Sequence, residues 1–494
     1  MDADVIIIGS GMGGATLAAA LAPTGRRILI LERGEHLQPS AIDRDPDAIF
    51  RDGVFRPDEE WLDGADRPFN PGNYYNVGGN SKFYGAALIR YREADFGSVA
   101  HPGGTTPGWP IDYGELEADY QAAEDLYHVR GSATGDPTEP YHSGSYPYPP
   151  VPDEPDVEIL RSRLSRVGLR PSPIPLGVDL TVWLSGGQTT WDAFPNTGRG
   201  KMDAETGGLA MALSHRNVTL RTRCTVEALE VDDTGRVIGA RLGQGETLTS
   251  SIVVVAAGAV QTAALLLRSA NENYPSGLAN RSDQVGRNFM NHNCSAVLAL
   301  HPFRKNRSVY QKTLMLNDFY LPTGDRPALG NVQMLGKVTG PILAANSGLP
   351  RWLADFVAAR SFDFYAMSED LPNSESRVTL RNGKIKLDWQ RSNWAAHEQL
   401  VRTLKSKLRQ AGFPVVVSKP FDRRTPSHQC GTARMGHAPT TSVVNSYCRS
   451  HDHSNLFIVD ASVLPTSAAV NPALTIAALA LRAGRHIAET ELVA

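Results

Sequence analysis

Apolar residues fall along this chain in two rhythms. Short unbroken runs come first. Asp4–Ile8 reads DVIII, Ala15–Ala22 reads ATLAAALA and Arg27–Leu31 reads RILIL. β-Branched runs of this length predict strands buried on both faces, and the alanine-rich run between them predicts a helix. The same rhythm returns at Val218–Val231, Val237–Leu242, Ile252–Leu267 and Asn455–Val459. Pro472–Glu489 then predicts a closing helix. Between these lies alternating material at Asn331–Val338, Ser361–Met367, Arg377–Leu380 and Lys384–Trp389, the pattern of half-exposed strands. Helices are expected over Tyr113–Leu126, inside the Pro/Gly/Tyr-rich stretch Gly103–Pro155, and over the amphipathic Trp394–Gln410. The fold class expected is α/β locally and α+β overall. One domain is assembled from residues 1–98, 200–294 and 425–494, and a β-sheet cap from 99–199 and 295–424. No Gly/Ser linker separates them, so the cap is expected to pack closely.

Composition narrows the partners. The chain has 494 residues and a net charge of −3, which gives no reason to expect nucleic acid or an anionic membrane as partner. No run approaches the ~18 apolar residues of a membrane helix. The N-terminus MDADVIIIGSG carries acid where a signal peptide needs base, so a cytoplasmic location is expected. Cys224, Cys294, Cys430 and Cys448 have neither CxxC nor metal-ligand spacing, so reduced thiols and no metal are expected.

The first apolar run ends in Gly9-Ser10-Gly11-Met12-Gly13-Gly14. A GxGxxG turn between a strand and a helix is the dinucleotide fingerprint. Gly9 makes the tight turn, Gly11 admits a pyrophosphate, and Gly14 lets helix and strand approach. The phosphates lie on the helix N-terminus. Glu32, 18 residues after Gly14, ends the second strand where an acid binds a ribose diol. These residues alone leave NAD and FAD both open.

Four later segments carry chemistry. Asn76–Gly85 (NVGGNSKFYG) offers Gly78, Gly79, Asn80 and Ser81 as a backbone cradle for phosphate or a flat ring, or as a plain turn. His428 sits in HQCGTARMG, where imidazole is a candidate general base, although a structural histidine fits as well. Asn455–Pro465 delivers Asp460 and Ala461 at the carboxyl end of a strand, where open α/β sheets bind ligands, although a core strand with a turn fits as well. Asn471-Pro472 suits an N-cap and first helical position, and the helix so started points its positive end at whatever precedes it.

Taken in order, GxGxxG, VGGNS, VVVAAGAVQTAALLLRS, VGRNFMNH, HxxGTxxMG, VDAS and NPxLT resemble the glucose–methanol–choline (GMC) oxidoreductases from end to end. Within that family, Asn76–Arg92, Lys201–Glu205 and Asn331–Lys337 look most like bacterial pyranose and glycoside oxidases. The resemblance implies a Rossmann-like FAD-binding domain with an inserted substrate cap. It implies oxidation of a secondary hydroxyl of a sugar or glycoside to a ketone, with hydride transfer to flavin N5 and dioxygen or a quinone as electron acceptor. A dehydrogenase of an amino sugar, cyclitol or simple alcohol is the alternative. His428 matches the family's general base and Asn471 the residue that holds the substrate oxygen. Val226 matches an adenine contact, Gly258 the strand end at the nucleotide, and Asp460, Ala461 and Pro472 flavin contacts. Phe83 stands where some members carry a histidine bound to the flavin, so non-covalent FAD is expected. A sugar substrate fits Asn331, Gln333, Tyr365 and Glu369 on or beside the cap strands, and ordinary polar positions on half-exposed strands fit them as well. Asn331 and Gln333 are two apart and share a face.

Overall fold

The computed structural model describes residues 1–422, 424 and 428–492. The first strand, Ala3–Ile8, lies between Ile28–Leu31 and Thr247–Val255, parallel to both. Val218–Arg221 extends the sheet beyond Ile28–Leu31, and Leu456–Ile458 pairs parallel with Thr247–Val255. Val5, Ile6 and Ile7 have no exposed surface, as the unbroken apolar run requires. The strands finish at one edge, so Gly9, Glu32, Ala256 and Val459 follow at neighbouring points. The early half of Thr247–Val255 instead pairs antiparallel with Val237–Leu242, which carries Val226–Val231 on its far side. The run expected over 218–231 is therefore two strands, broken near Arg223, whose φ is +55°. Helix Met12–Leu21 packs on the closing helix Ala473–Thr490.

A second, antiparallel sheet runs in the order Val415–Pro420, Asn293–Leu300, Ser361–Ser368, Asn331–Met334, Leu314–Leu316, Ser172–Pro173. Helix Trp394–Gln410 lays Leu400, Leu404 and Leu408 on it. The strand expected over 331–338 stops at Met334, because Gly336 N–H turns to the Asp192 carboxylate (2.7 Å).

Two segments expected in the cap lie elsewhere. The hairpin Arg377–Arg381/Lys384–Asp388 pairs with Trp61–Asp63, which pairs with Pro68–Phe69. Helix Tyr113–Leu126 packs on the closing helix, where Tyr120 and Thr475 share a hydrogen bond of 2.7 Å. Alternation predicts a strand but not its partner, which long-range packing selects. The boundary expected at 424/425 abuts residues 425–427, which lie outside the described residues. All four cysteines are buried and unbridged. Among the described residues no helix is long and apolar enough to cross a membrane, and no His/Cys/Asp/Glu cluster suits a metal.

Candidate active site

The glycine turn is built as its sequence requires. Gly9 has φ +101°, and a Cβ there would come within 2.4 Å of the Ala256 carbonyl oxygen. A Cβ on Gly14 would meet the Gly9 carbonyl oxygen at 2.0 Å, so strand and helix pack through it. Gly13, outside the fingerprint spacing, is as constrained, with Val459 O at 1.8 Å. Gly11 and Gly258 are different, since a Cβ on either meets nothing within 4 Å, and one on Gly79 meets only Gly11 Cα, at 3.6 Å. These three glycines therefore border open space at the carboxyl edge of the sheet. The helix Met12–Leu21 starts there with no side-chain cap on its N–H groups.

Neighbouring side chains stiffen that space. Glu32 accepts from Ser10 N–H (3.0 Å), Ser10 Oγ–H (2.7 Å) and Gly34 N–H (2.9 Å), which ties the second strand end to the turn. Asp460 accepts from Gly258 N–H (2.9 Å), the Thr262 hydroxyl (2.5 Å) and Ser462 N–H (2.7 Å). Burial pushes its carboxyl above the ordinary range. Gly78 N–H donates to Ser10 Oγ (3.1 Å), and Ser81 Oγ–H to Gly78 O (2.6 Å). Asn80 turns its oxygen to Tyr74 N–H (2.8 Å). Val226 begins its strand, partly exposed, and Ala461 opens the short turn after Asp460. Phe83 stacks on Tyr74 with ring centroids 3.8 Å apart. The uncapped helix start, the ribose-type acid and the open glycine cradle together fit a dinucleotide. Among the residues expected to hold it, Glu32, Asn80, Ser81 and Asp460 act in this structure as braces for the cradle walls.

The candidate catalytic residues meet a strand of the second sheet. His428 and Asn471 approach each other, with Asn471 Nδ2 3.3 Å from His428 Nε2. Gln333, on the cap strand, donates from Nε2 to Asn471 Oδ1 (2.6 Å). On the other side, His428 Nδ1 lies 2.8 Å from Nδ1 of His292. His292 Nε2 is 2.9 Å from both the Ser467 and the Ala468 carbonyl oxygens. Burial holds His428 well below the ordinary histidine range, and positive charge on His292 or Lys312 adds to the effect. Lys312 is itself tied to Asp192 (2.7 Å). His428 has φ +67° and Ala468 φ +52°, both in the left-handed region that costs a non-glycine residue energy.

The loop before Asn471 is clamped from the cap side. Ala468 N–H donates to Glu369 Oε1 (3.0 Å) and Ala469 N–H to Tyr320 Oη (3.2 Å). Tyr91 Oη–H donates to Ser467 O (2.9 Å), and Ser467 Oγ–H to Asp370 O (3.0 Å). Glu369, expected at the substrate, thus braces the loop instead, with its other oxygen 3.1 Å from His101 Nε2. Asn331 turns to Asn317 Oδ1 (2.6 Å). Tyr365 lies opposite Gln333 in the ladder, so the two side chains share a face, and its ring packs near Phe421. Of the four expected substrate residues, Gln333 bonds directly to Asn471. Asn471 is not the helix N-cap. That place falls to Pro472, and the Asn471 amide is spent on His428 and Gln333. His292, the last residue of VGRNFMNH, carries no signal of its own beyond lying immediately before a cap strand.

An open glycine cradle and a buried histidine–amide pair fit an oxidoreductase site. Family models described as GMC oxidoreductase match residues 184–294 and 372–480, and one described as an NAD(P)-binding Rossmann-like domain matches 7–52. The 6'''-hydroxyparomomycin C oxidase of Streptomyces lividus is 30% identical over 98% of this chain and 91% of its own. The paromamine 6'-oxidase of Streptomyces fradiae is 29% identical over the same shares. The crystal structure of pyridoxine 4-oxidase from Mesorbium loti shares the fold at TM-score 0.67 and 18% identity, over 98% of this chain and 99% of that one. The chain belongs to the GMC oxidoreductase family. It is a flavin-dependent enzyme that oxidises hydroxyl groups of small sugars or alcohols.

Proposed function

We propose that this enzyme binds FAD non-covalently and oxidises a hydroxyl of a sugar or glycoside, with His428 as general base. The observation that carries this reading is the convergence of His428 Nε2 and Asn471 Nδ2, 3.3 Å apart, in a chain that also carries the open glycine cradle. The cofactor supplies the acceptor for the carbinol hydrogen and its electron pair. His428 takes the hydroxyl proton at Nε2, since its neutral form predominates near pH 7. Asn471 donates to the substrate oxygen as negative charge grows there, and Gln333 aims that amide. Gly11, Gly79 and Gly258 leave room for the dinucleotide, and Phe83, stacked on Tyr74, offers the isoalloxazine no nucleophile. Dioxygen or a quinone would serve as the final electron acceptor.

The test is anaerobic reduction of the purified enzyme by a panel of sugars, glycosides, cyclitols and simple alcohols, headed by 6'''-hydroxyparomomycin C and paromamine. Product analysis tells a ketone from an aldehyde, and reoxidation is then followed with dioxygen and with a quinone. His428→Ala is expected to keep its flavin and to lose at least ~10²-fold in the rate of reduction, the scale of a missing general base. Near-wild-type reduction in that variant would leave His428 a structural histidine.

A further inference from the structure

We infer that His292 is a positioning residue that fixes the catalytic tautomer of His428. The inference rests on the reading of His428 as the base and adds what makes it one. A neutral imidazole carries one N–H and one lone pair, and only its hydrogen-bond partners decide which nitrogen has which. Here the partners decide it from one end. The Ser467 and Ala468 carbonyl oxygens can only accept, so His292 Nε2, 2.9 Å from both, carries the hydrogen. Neutral His292 then presents a lone pair at Nδ1. His428 Nδ1, 2.8 Å away, must be the donor. His428 Nε2 is left with its lone pair facing Asn471 Nδ2, and a substrate hydroxyl meets a nitrogen already able to take its proton. The opposite end agrees, since Gln333 Nε2 donates to Asn471 Oδ1 and leaves the Asn471 N–H aimed at His428. Five hydrogen bonds thus run in one direction, the last two sharing the His292 Nε2 hydrogen, from the cap strand to the backbone of the loop before Asn471.

Burial supports the neutral pair, holding both imidazoles below the ordinary histidine range. The charged groups that face them are Lys312, tied to Asp192 beside His428, and Glu369, near His292. When the substrate O–H bond breaks and an Nε2–H bond forms on His428, the new imidazolium keeps its Nδ1–H on the His292 lone pair. That bond becomes charge-assisted and stronger. His292 gives up no proton and touches no substrate, so its part is orientation and charge support.

The decisive measurement is ¹⁵N NMR of the flavin-loaded enzyme with labelled histidine, assigned by comparison with His428→Ala and His292→Phe. His428 is expected to show a protonated Nδ1 and an unprotonated Nε2. A His428 protonated at Nε2 overturns the inference whatever the activity. Kinetics supply the second arm. His292→Phe should bind flavin normally, lose about tenfold or more in kcat/KM, and move the acid limb of its pH profile to lower pH, because the imidazolium has lost its acceptor. His292→Asn, whose Oδ1 can still accept from His428 Nδ1–H, should recover part of both effects. An unchanged profile and rate in a folded, flavin-loaded His292→Phe, or equal losses in the Asn and Phe variants, sink the proposal. Should the Phe variant not fold, the wild-type spectrum and the Asn variant still decide. Failure of the broader reading shows separately, as undiminished reduction in His428→Ala.

Discussion

Replacing Gln333 tests how far the proposed catalytic pair, His428 and Asn471, depends on the cap. Gln333 touches His428 only through Asn471, by the single 2.6 Å bond from its Nε2 to Asn471 Oδ1. Leucine keeps the size and the strand position but removes the donor. One partly buried hydrogen bond is worth about 0.5–1.5 kcal/mol net. At about 1.36 kcal/mol per tenfold, kcat/KM should fall by about 2- to 12-fold. The loss arises through Asn471 turning, so it should vanish when Asn471 is already alanine. The assay is a double-mutant cycle over wild type, Gln333→Leu, Asn471→Ala and the double variant, read as kcat/KM under anaerobic reduction. Circular dichroism confirms that all four are folded. The coupling energy should be at least ~0.5 kcal/mol. Gln333→Glu should cost more than leucine at neutral pH. Its carboxylate rejects the Asn471 oxygen and turns the amide, so an acceptor then faces His428 Nε2. Additive single-site effects within ~0.3 kcal/mol would return Gln333 to an ordinary polar strand position and refute the reasoning.

Three further outcomes follow from the same geometry. Gly11 has φ −69°, a value open to any residue, and its Cβ direction meets no protein atom, so Gly11→Val should fold with the melting temperature of the flavin-free wild type yet purify without flavin; a fully yellow Gly11→Val protein would contradict the cradle. With Phe83 where an attachment histidine would stand, acid precipitation should leave the flavin in the supernatant, and colour retained in the pellet would show a covalent bond. Asp95 is buried, accepting from Arg92 N–H (2.7 Å) and Tyr320 Oη–H (2.7 Å), and burial with nearby Glu369 raises its carboxyl to about 7. A raised folded value means that its stability contribution is full below the unfolded value, near 3.8, and is lost as pH rises through about 7. Asp95→Asn keeps the accepting oxygen without the charge, so it should gain on the wild type by on the order of 1–4 kcal/mol between pH 5 and pH 8 in denaturant melts; a pH-independent difference counts against an ionising Asp95.

The parts legible in the sequence are those whose chemistry is local. The strand–turn–helix–strand from Asp4 to Glu32 carries its whole instruction within thirty residues, and the structure reproduces it down to the close contact of Gly14 with Gly9. Helices Tyr113–Leu126 and Trp394–Gln410 begin and end where their patterns do. What the sequence hides is partner choice. Nothing in VTL or KIKLD says that the 377–388 hairpin adds to strand Trp61–Asp63 instead of the cap sheet. Asn331 and Gln333 share a face by period, yet one turns to Asn317 and the other to Asn471. Asn-Pro before a helix reads as a cap, and here tertiary demand took the amide elsewhere.

The residues whose partners the sequence does not show have one thing in common. His292 precedes the cap strand Asn293–Leu300, Gln333 sits on the neighbouring cap strand Asn331–Met334, and Glu369 follows Ser361–Ser368. Each reaches out of the cap sheet to a residue on the loops around Asn471 and His428, more than 90 positions away in sequence. The loops they hold contain the two strained backbones, His428 and Ala468, which local structure alone would not keep. The glycine cradle is braced by Glu32 and Asp460 of its own neighbouring strand ends, whereas the proposed base His428 and the Asn471 amide are hydrogen-bonded to His292 and Gln333. A cap variant that loosens this seam should then lower the rate of the chemical step before it lowers flavin content, and that order of loss separates the two halves of the site experimentally.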